Sequence, residues 1–132
     1  MIVYTKQWIT REYMDAHPTW LFLFGDNLLG HGWGGQAREM RGAPNALGIP
    51  TKKRPDRRGG SYFTDDEYEK NCAAIDRAFE RIYQEGWMVV VLPEHGIGTG
   101  LADLPYQAPR TYEHLLEKIR ELGPIDRLDG RP

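Results

Sequence analysis

Hydrophobic positions fall in short blocks along the chain, and the blocks have two periods. "TWLFLF" (19–24) and "WMVVVL" (87–92) are continuous apolar runs, the pattern of strands covered on both faces. "MIVYT" (1–5) and "NALGIPT" (45–51) add two more strands, Pro50 ending the second or placing it at a sheet edge. Helical spacing is clearest over 64–86, where Tyr68, Cys72, Ile75, Phe79 and Ile82 form one stripe. Thr64 and Glu67 there have the capping-box spacing, and Gly86 supplies the stop. A second helix spans 108–122, with Pro109 in its first turn, core positions Tyr112, Leu115, Leu116, Ile119 and Leu122, and Gly123 after its end. Shorter helices are expected over 10–16, with Thr10 as N-cap and His17-Pro18 as terminator, and over 35–41, stopped by Gly42 and Pro44. The tail 124–132 carries no strong pattern. Alternating strands and helices predict a three-layer α/β fold with a largely parallel sheet, as one domain over 1–132.

Composition narrows the class. The chain has 132 residues, 40% hydrophobic and 27% charged, with a formal net charge of -2, so there is no general attraction to nucleic acid or membrane. No apolar run approaches the ~20 residues of a membrane span. "MIVYTKQW" has no signal-peptide pattern, and a single cysteine, Cys72, leaves no internal disulfide. These features predict a cytoplasmic protein. Cys72 lies on the helical stripe and reads as core. The four histidines and Cys72 show no metal-ligand spacing, so neither a metal nor another cofactor is expected.

The chemistry sits in two glycine loops. "GDNLLGHGWGGQARE" (25–39) and "PEHGIGTGLADLPYQ" (93–107) each follow a hydrophobic strand and run into a helix. In an open α/β sheet that is where ligands bind. Glycine lets phosphate oxygens reach backbone N–H groups, and a helix N-terminus adds unpaired donors. Side by side, the two loops could hold a diphosphate; read separately, they are tight turns. Neither loop is a Walker A sequence or a full dinucleotide fingerprint.

The two loops, in this order and separated by a strand and a helix, resemble the ligand loops of macrodomains over residues 19–122. "GIPTKKRPDRRGGSYFTDDEYE" further resembles the branch of terminal ADP-ribose glycohydrolases and antitoxin macrodomains that remove ADP-ribose from DNA. The resemblance implies a three-layer α/β/α fold with a mostly parallel mixed sheet, usually of about six strands. Only four strands are firm here, leaving an edge strand to be sought in 53–63 or 124–132. It implies Lys52 as the catalytic lysine and Asp103 as its acid-base partner. The pattern departs at one point: Ala102 separates Leu101 from Asp103, which bears on hydrolysis more than on binding.

By the same resemblance, Gly25, Asp26, Asn27, Gly34, Gly35 and Gln36 would meet the ribose and phosphate. Asn27 then contacts a ribose hydroxyl, or else folds a turn. Asp26 accepts from adenine or ribose, or caps the turn. Trp33 stacks on a ring or covers a surface seam. His95, Gly96, Ile97, Gly98, Thr99 and Gly100 would surround the diphosphate, with Ile97 packed beneath, Thr99 donating to phosphate and His95 either acid-base or structural. Lys52 must lose its proton to attack an anomeric carbon, which burial among like charges favours. Otherwise it belongs to a solvated loop, "KKRPDRR", with five cations in seven residues. The resulting expectation is a hydrolase that removes terminal ADP-ribose from a modified protein or nucleic acid. The alternatives are a non-catalytic ADP-ribose or nucleotide module, a phosphatase of phosphorylated ADP-ribose, and a nucleic-acid binder using the basic loop.

Overall fold

The apolar run in the first half of the chain becomes the middle of a five-stranded sheet. A computed structural model describes residues 1–129. Its strands are β1 (Ile2–Lys6), β2 (Leu21–Asn27), β3 (Ala46–Lys52), β4 (Val89–Pro93) and β5 (Ile125–Arg127). The helices are α1 (Arg11–Asp15), α2 (Ala37–Met40), α3 (Tyr68–Glu85), α4 (Leu104–Gln107) and α5 (Pro109–Leu122). The strand order is β3-β2-β4-β1-β5, and every pairing between these strands is parallel.

Two cores make the three layers. Leu21 and Leu23 of β2 point to one face, with Ile75, Phe79 and Ile82 of α3 and Leu115 and Ile119 of α5. Phe22 and Phe24 point to the other, with Met14 of α1 and Ala37 and Met40 of α2. That is why the run 21–24 is apolar without alternation. Truncating Phe22, which is fully buried, to alanine would cost about 3–5 kcal/mol.

Several expectations are corrected. The sheet is parallel rather than mixed: the antiparallel contact among the described residues is one isolated bridge, Lys52 to Tyr62, where 53–63 turns back. The edge strand lies at Ile125–Arg127 in the tail, and positions 130–132 of that tail lie outside the described residues. β2 runs on through Gly25, Asp26 and Asn27 because β3 continues alongside it to Lys52, with a register shift between Asp26 and Asn27. Pro50 stands on the edge strand, as its missing N–H requires.

The capping box does not form. A 3₁₀ turn at Asp65–Glu67 precedes α3, the Thr64 side chain makes no cap bond, and the Glu67 carboxylate pairs with Lys53. Asp65 instead caps a different helix. Its Oδ2 accepts from the Arg110 N–H (2.9 Å), and its Oδ1 from the Thr111 N–H (3.0 Å) and hydroxyl (2.9 Å). Asn71 Nδ2 donates to the Thr111 oxygen at 3.2 Å, completing a lock between α3 and α5. Thr10 does cap α1, accepting from the Tyr13 N–H at 3.1 Å. Among the described residues no helix is long and apolar enough to cross a membrane.

Candidate functional site

Strand order creates the cleft. From β2 the chain leaves toward β3 through α2, on one face; from β4 it leaves toward β5 through α5, on the other. β2 and β4 are neighbours, so the loops after them part in opposite directions. Such a switch point is where an open α/β sheet accepts a ligand. The space between the loops measures about 740 Å³, part of it open to solvent.

Gly25, Asp26, Asn27, Gly34, Gly35, Gln36, Lys52, His95, Gly96, Gly98 and Gly100 all line this cleft. His31, Gly32, Arg41, Thr51, Pro55, Leu101 and Ala102 line it as well. The two loops approach closely, since a Cβ on Gly34 would lie 2.7 Å from Leu101 Cδ1; the second loop is also packed against β3 and α4, where a Cβ on Gly98 would lie 3.1 Å from Thr51 Cγ2 and 3.2 Å from Leu104 Cβ. Gly98 also has φ +82°, which a side chain would strain.

The lining is rich in backbone donors. The N–H groups of Gly34, Gly35 and Gln36, and of Gly98, Gly100, Leu101 and Ala102, make no hydrogen bond with any described residue. Asp26 is the one carboxylate among the lining residues. It is neutralised by Arg41, whose Nη2 donates to Oδ1 at 2.6 Å and Nη1 to Oδ2 at 3.1 Å. Unpartnered N–H groups on both loops of a cleft, with no unpaired carboxylate in its lining, suit an anion.

α2 contributes less than expected. It is a single turn, and the Ala37 and Arg38 N–H groups already donate to the Gly34 and Gly35 carbonyls. Gln36 turns its side chain away from the cleft and exchanges two bonds with the Ile9 backbone, at 2.8 and 2.9 Å. Asn27 folds the loop: its Oδ1 accepts from the Leu29 N–H (3.1 Å) and its Nδ2 donates to the His31 carbonyl (2.7 Å). Asp26 is tied to Arg41 and to the Asn27 N–H. Trp33 is exposed and outside the lining, Ile97 is buried beneath the second loop, and the exposed Thr99 donates its hydroxyl to the His95 carbonyl at 2.6 Å.

Lys52 ends β3 on the cleft wall and is 6% exposed. Its Nζ donates to the Asp56 carbonyl at 2.6 Å and lies 4.4 Å from the centre of the Tyr62 ring. Burial lowers its pKa below the ordinary lysine value; Asp56 opposes this and Arg57 adds to it. A carbonyl partner accepts equally from a neutral amine, so the lone pair can be free. The Asp56 carboxylate is bonded to the Ser61 hydroxyl and the Arg58 N–H, which hold its pKa at about 2.

Asp103 does not join Lys52. It is exposed, in a left-handed turn (φ 49°) before α4, while Ala102 faces the cleft. The extra residue after Leu101 thus turns the acid outward. Arg41 and His31 escaped the sequence reading. Arg41 reads locally as the end of a short helix; its role depends on Asp26, fifteen residues earlier in the chain. Among the described residues no group of three or more His, Cys, Asp or Glu is placed to hold a metal ion.

No curated protein and no solved structure matches the chain. A family of unknown function (DUF7831) matches residues 4–118, a stretch that contains both glycine loops and Lys52. The chain therefore belongs to the DUF7831 family.

Proposed function

We propose that the cleft binds ADP-ribose carried by a protein or nucleic acid, and that Lys52 makes the chain a hydrolase of the linking glycosidic bond in the cytoplasm. The observation that carries this reading is a buried lysine of lowered pKa on the wall of a cleft whose two glycine loops carry unpartnered N–H groups. The donors on the two loops suit a diphosphate, and the likeness of the same loops to macrodomain loops agrees with that ligand.

In this reading the neutral Lys52 amine attacks the anomeric carbon of the distal ribose. The carbon–heteroatom bond breaks, its electron pair leaves with the macromolecule, and that group takes up a proton. Water then displaces the lysine, which recovers its lone pair, and ADP-ribose departs. For a carboxylate-linked substrate, whose departing group needs no proton donor, turnover rises with pH through the lowered lysine pKa, because only the unprotonated amine reacts.

Lys52→Met tests the assignment. Free ADP-ribose should still bind within about threefold of the unaltered chain by calorimetry, while turnover of an ADP-ribosylated substrate falls by at least about 100-fold. Undiminished turnover rejects Lys52 as nucleophile, and no binding of ADP-ribose by the unaltered chain rejects the reading.

One observation favours a second reading, a binding module without turnover: Asp103 lies off the cleft. That reading requires tight ADP-ribose binding with no cleavage of any ADP-ribosylated substrate.

A further inference from the structure

Cleavage of a glycosidic bond needs a proton for the departing group whenever that group is a strong base. The acid expected from the sequence, Asp103, is absent from the cleft. Asp26 is held on both oxygens by Arg41. The Asp56 carboxylate is engaged by Ser61 and Arg58. No unpaired carboxylate is therefore left among the described lining residues, and two imidazoles remain, His31 and His95.

We infer that His31 is the proton donor of this cleft, an inference that rests on the hydrolase reading. Its backbone is fixed on three sides. The carbonyl accepts from Asn27 Nδ2 at 2.7 Å and from Arg41 Nη2 at 3.1 Å, and the N–H donates to Asn27 Oδ1 at 3.4 Å. The imidazole itself makes no hydrogen bond or ion pair with any described residue. The backbone that bears the ring is thus braced, and both ring nitrogens are left for a substrate.

Position separates His31 from His95. The loop that bears His31 is joined to the Lys52 wall at both ends. The Leu28 N–H donates to the Lys52 carbonyl at 2.9 Å, and Gly32 abuts Pro55, whose Cβ would lie 3.3 Å from a Cβ at Gly32. His31 sits between these two contacts. His95 belongs to the loop from β4, on the opposite wall, where its carbonyl serves Thr99. With His31 as the proton donor, the departing group of a reaction at Lys52 is therefore put on the His31 side.

The full chain and two substrates test this. One is a protein ester-linked to ADP-ribose through glutamate, whose carboxylate departs without a proton. The other is an oligodeoxynucleotide carrying ADP-ribose on a base nitrogen, a stronger base. His31→Gln should slow cleavage of the base-linked substrate by at least about 100-fold, and of the ester by no more than about threefold. Free ADP-ribose should bind His31→Gln within the same threefold, and its addition to the unaltered chain should shift the His31 ring signals in NMR spectra. Equal losses on both substrates would make His31 a mere support of the loop and overturn the inference. So would no loss, a loss confined to His95→Gln, His31 signals that stay still while calorimetry records binding, or an unaltered chain that cleaves the ester alone. Binding of ADP-ribose without cleavage of either substrate overturns the proton donor and the hydrolase but leaves the binding site; absence of binding removes the reading beneath both.

Discussion

Arg41 uses all five of its N–H donors inside the protein. Besides Asp26, the guanidinium donates to the Gly32 carbonyl from Nε (2.7 Å), the Gly30 carbonyl from Nη1 (2.7 Å) and the His31 carbonyl from Nη2 (3.1 Å). This arginine of the cleft wall is thus a brace for a loop, with every donor already engaged. The pair is mostly buried, 16% and 14% exposed, so Arg41→Ala leaves an uncompensated carboxylate. We expect it to cost about 3–5 kcal/mol in urea unfolding. Arg41→Lys keeps the charge but not the fork, and should loosen the loop and weaken ADP-ribose binding by roughly tenfold by calorimetry, with a smaller loss of stability. At this scale, what the sequence made legible was position: Lys52, Asn27 and the clustered Gly34, Gly35, Gly96, Gly98 and Gly100 all line one cleft. Arg41 and Asp103 were illegible because pairing across the fold and the handedness of one turn decide their roles.

Elements were legible where their own side chains form them. Of the expected stripe on α3, Cys72, Ile75, Phe79 and Ile82 are buried and Tyr68 is half-buried; on α5, which Pro109 opens, Leu115, Ile119 and Leu122 are buried and Leu116 is half-buried. Caps supplied from elsewhere were not legible. Thr64 and Glu67 have capping-box spacing, yet Lys53 takes the Glu67 carboxylate, and the cap of α5 arrives from Asp65, 44 residues before Pro109 in the numbering. β5 could only be narrowed to one of two stretches, 53–63 or 124–132, because its three residues are exposed and show no apolar run. Asp65→Ala should therefore destabilise the protein by about 1–2 kcal/mol, the loss of a helix cap, although it lies outside the helix it caps. A matching loss in α5 amide protection, read by hydrogen exchange, distinguishes this from fraying of α3.

For the whole molecule, protonation and folding are linked through the same acids. Burial opposes ionisation of Asp65, but the bonds from Arg110 and Thr111 outweigh it and hold the carboxyl below its ordinary range. Ser61, then Arg58, lower Asp56 to about 2. For groups depressed in the folded state, the contribution is complete above the unfolded value of about 4 and is lost as pH falls through the folded value. Urea midpoints should thus hold steady from pH ~5 to about neutrality and decline between about pH 4 and 2, and Asp65→Asn should flatten part of that decline. Lys52 has the same sign in a higher pH range: its folded pKa is also the lower one, so stability rises as pH climbs from that value toward the unfolded value of about 10.4.

The free N–H groups of the two loops carry dipoles but no net charge, and the guanidinium beside them is already neutralised. Dissolved ions screen charges separated by more than about 8–10 Å far better than they screen donors in contact with an acceptor. Arg54, Arg57 and Arg58, in contrast, are exposed on the loop that flanks Lys52. Raising sodium chloride from 50 to 200 mM should leave the affinity for free ADP-ribose within about twofold, while slowing capture of a polyanionic carrier such as an ADP-ribosylated oligonucleotide by roughly an order of magnitude. Holding the ligand and meeting the molecule that bears it would then respond differently to the ionic strength of the cell.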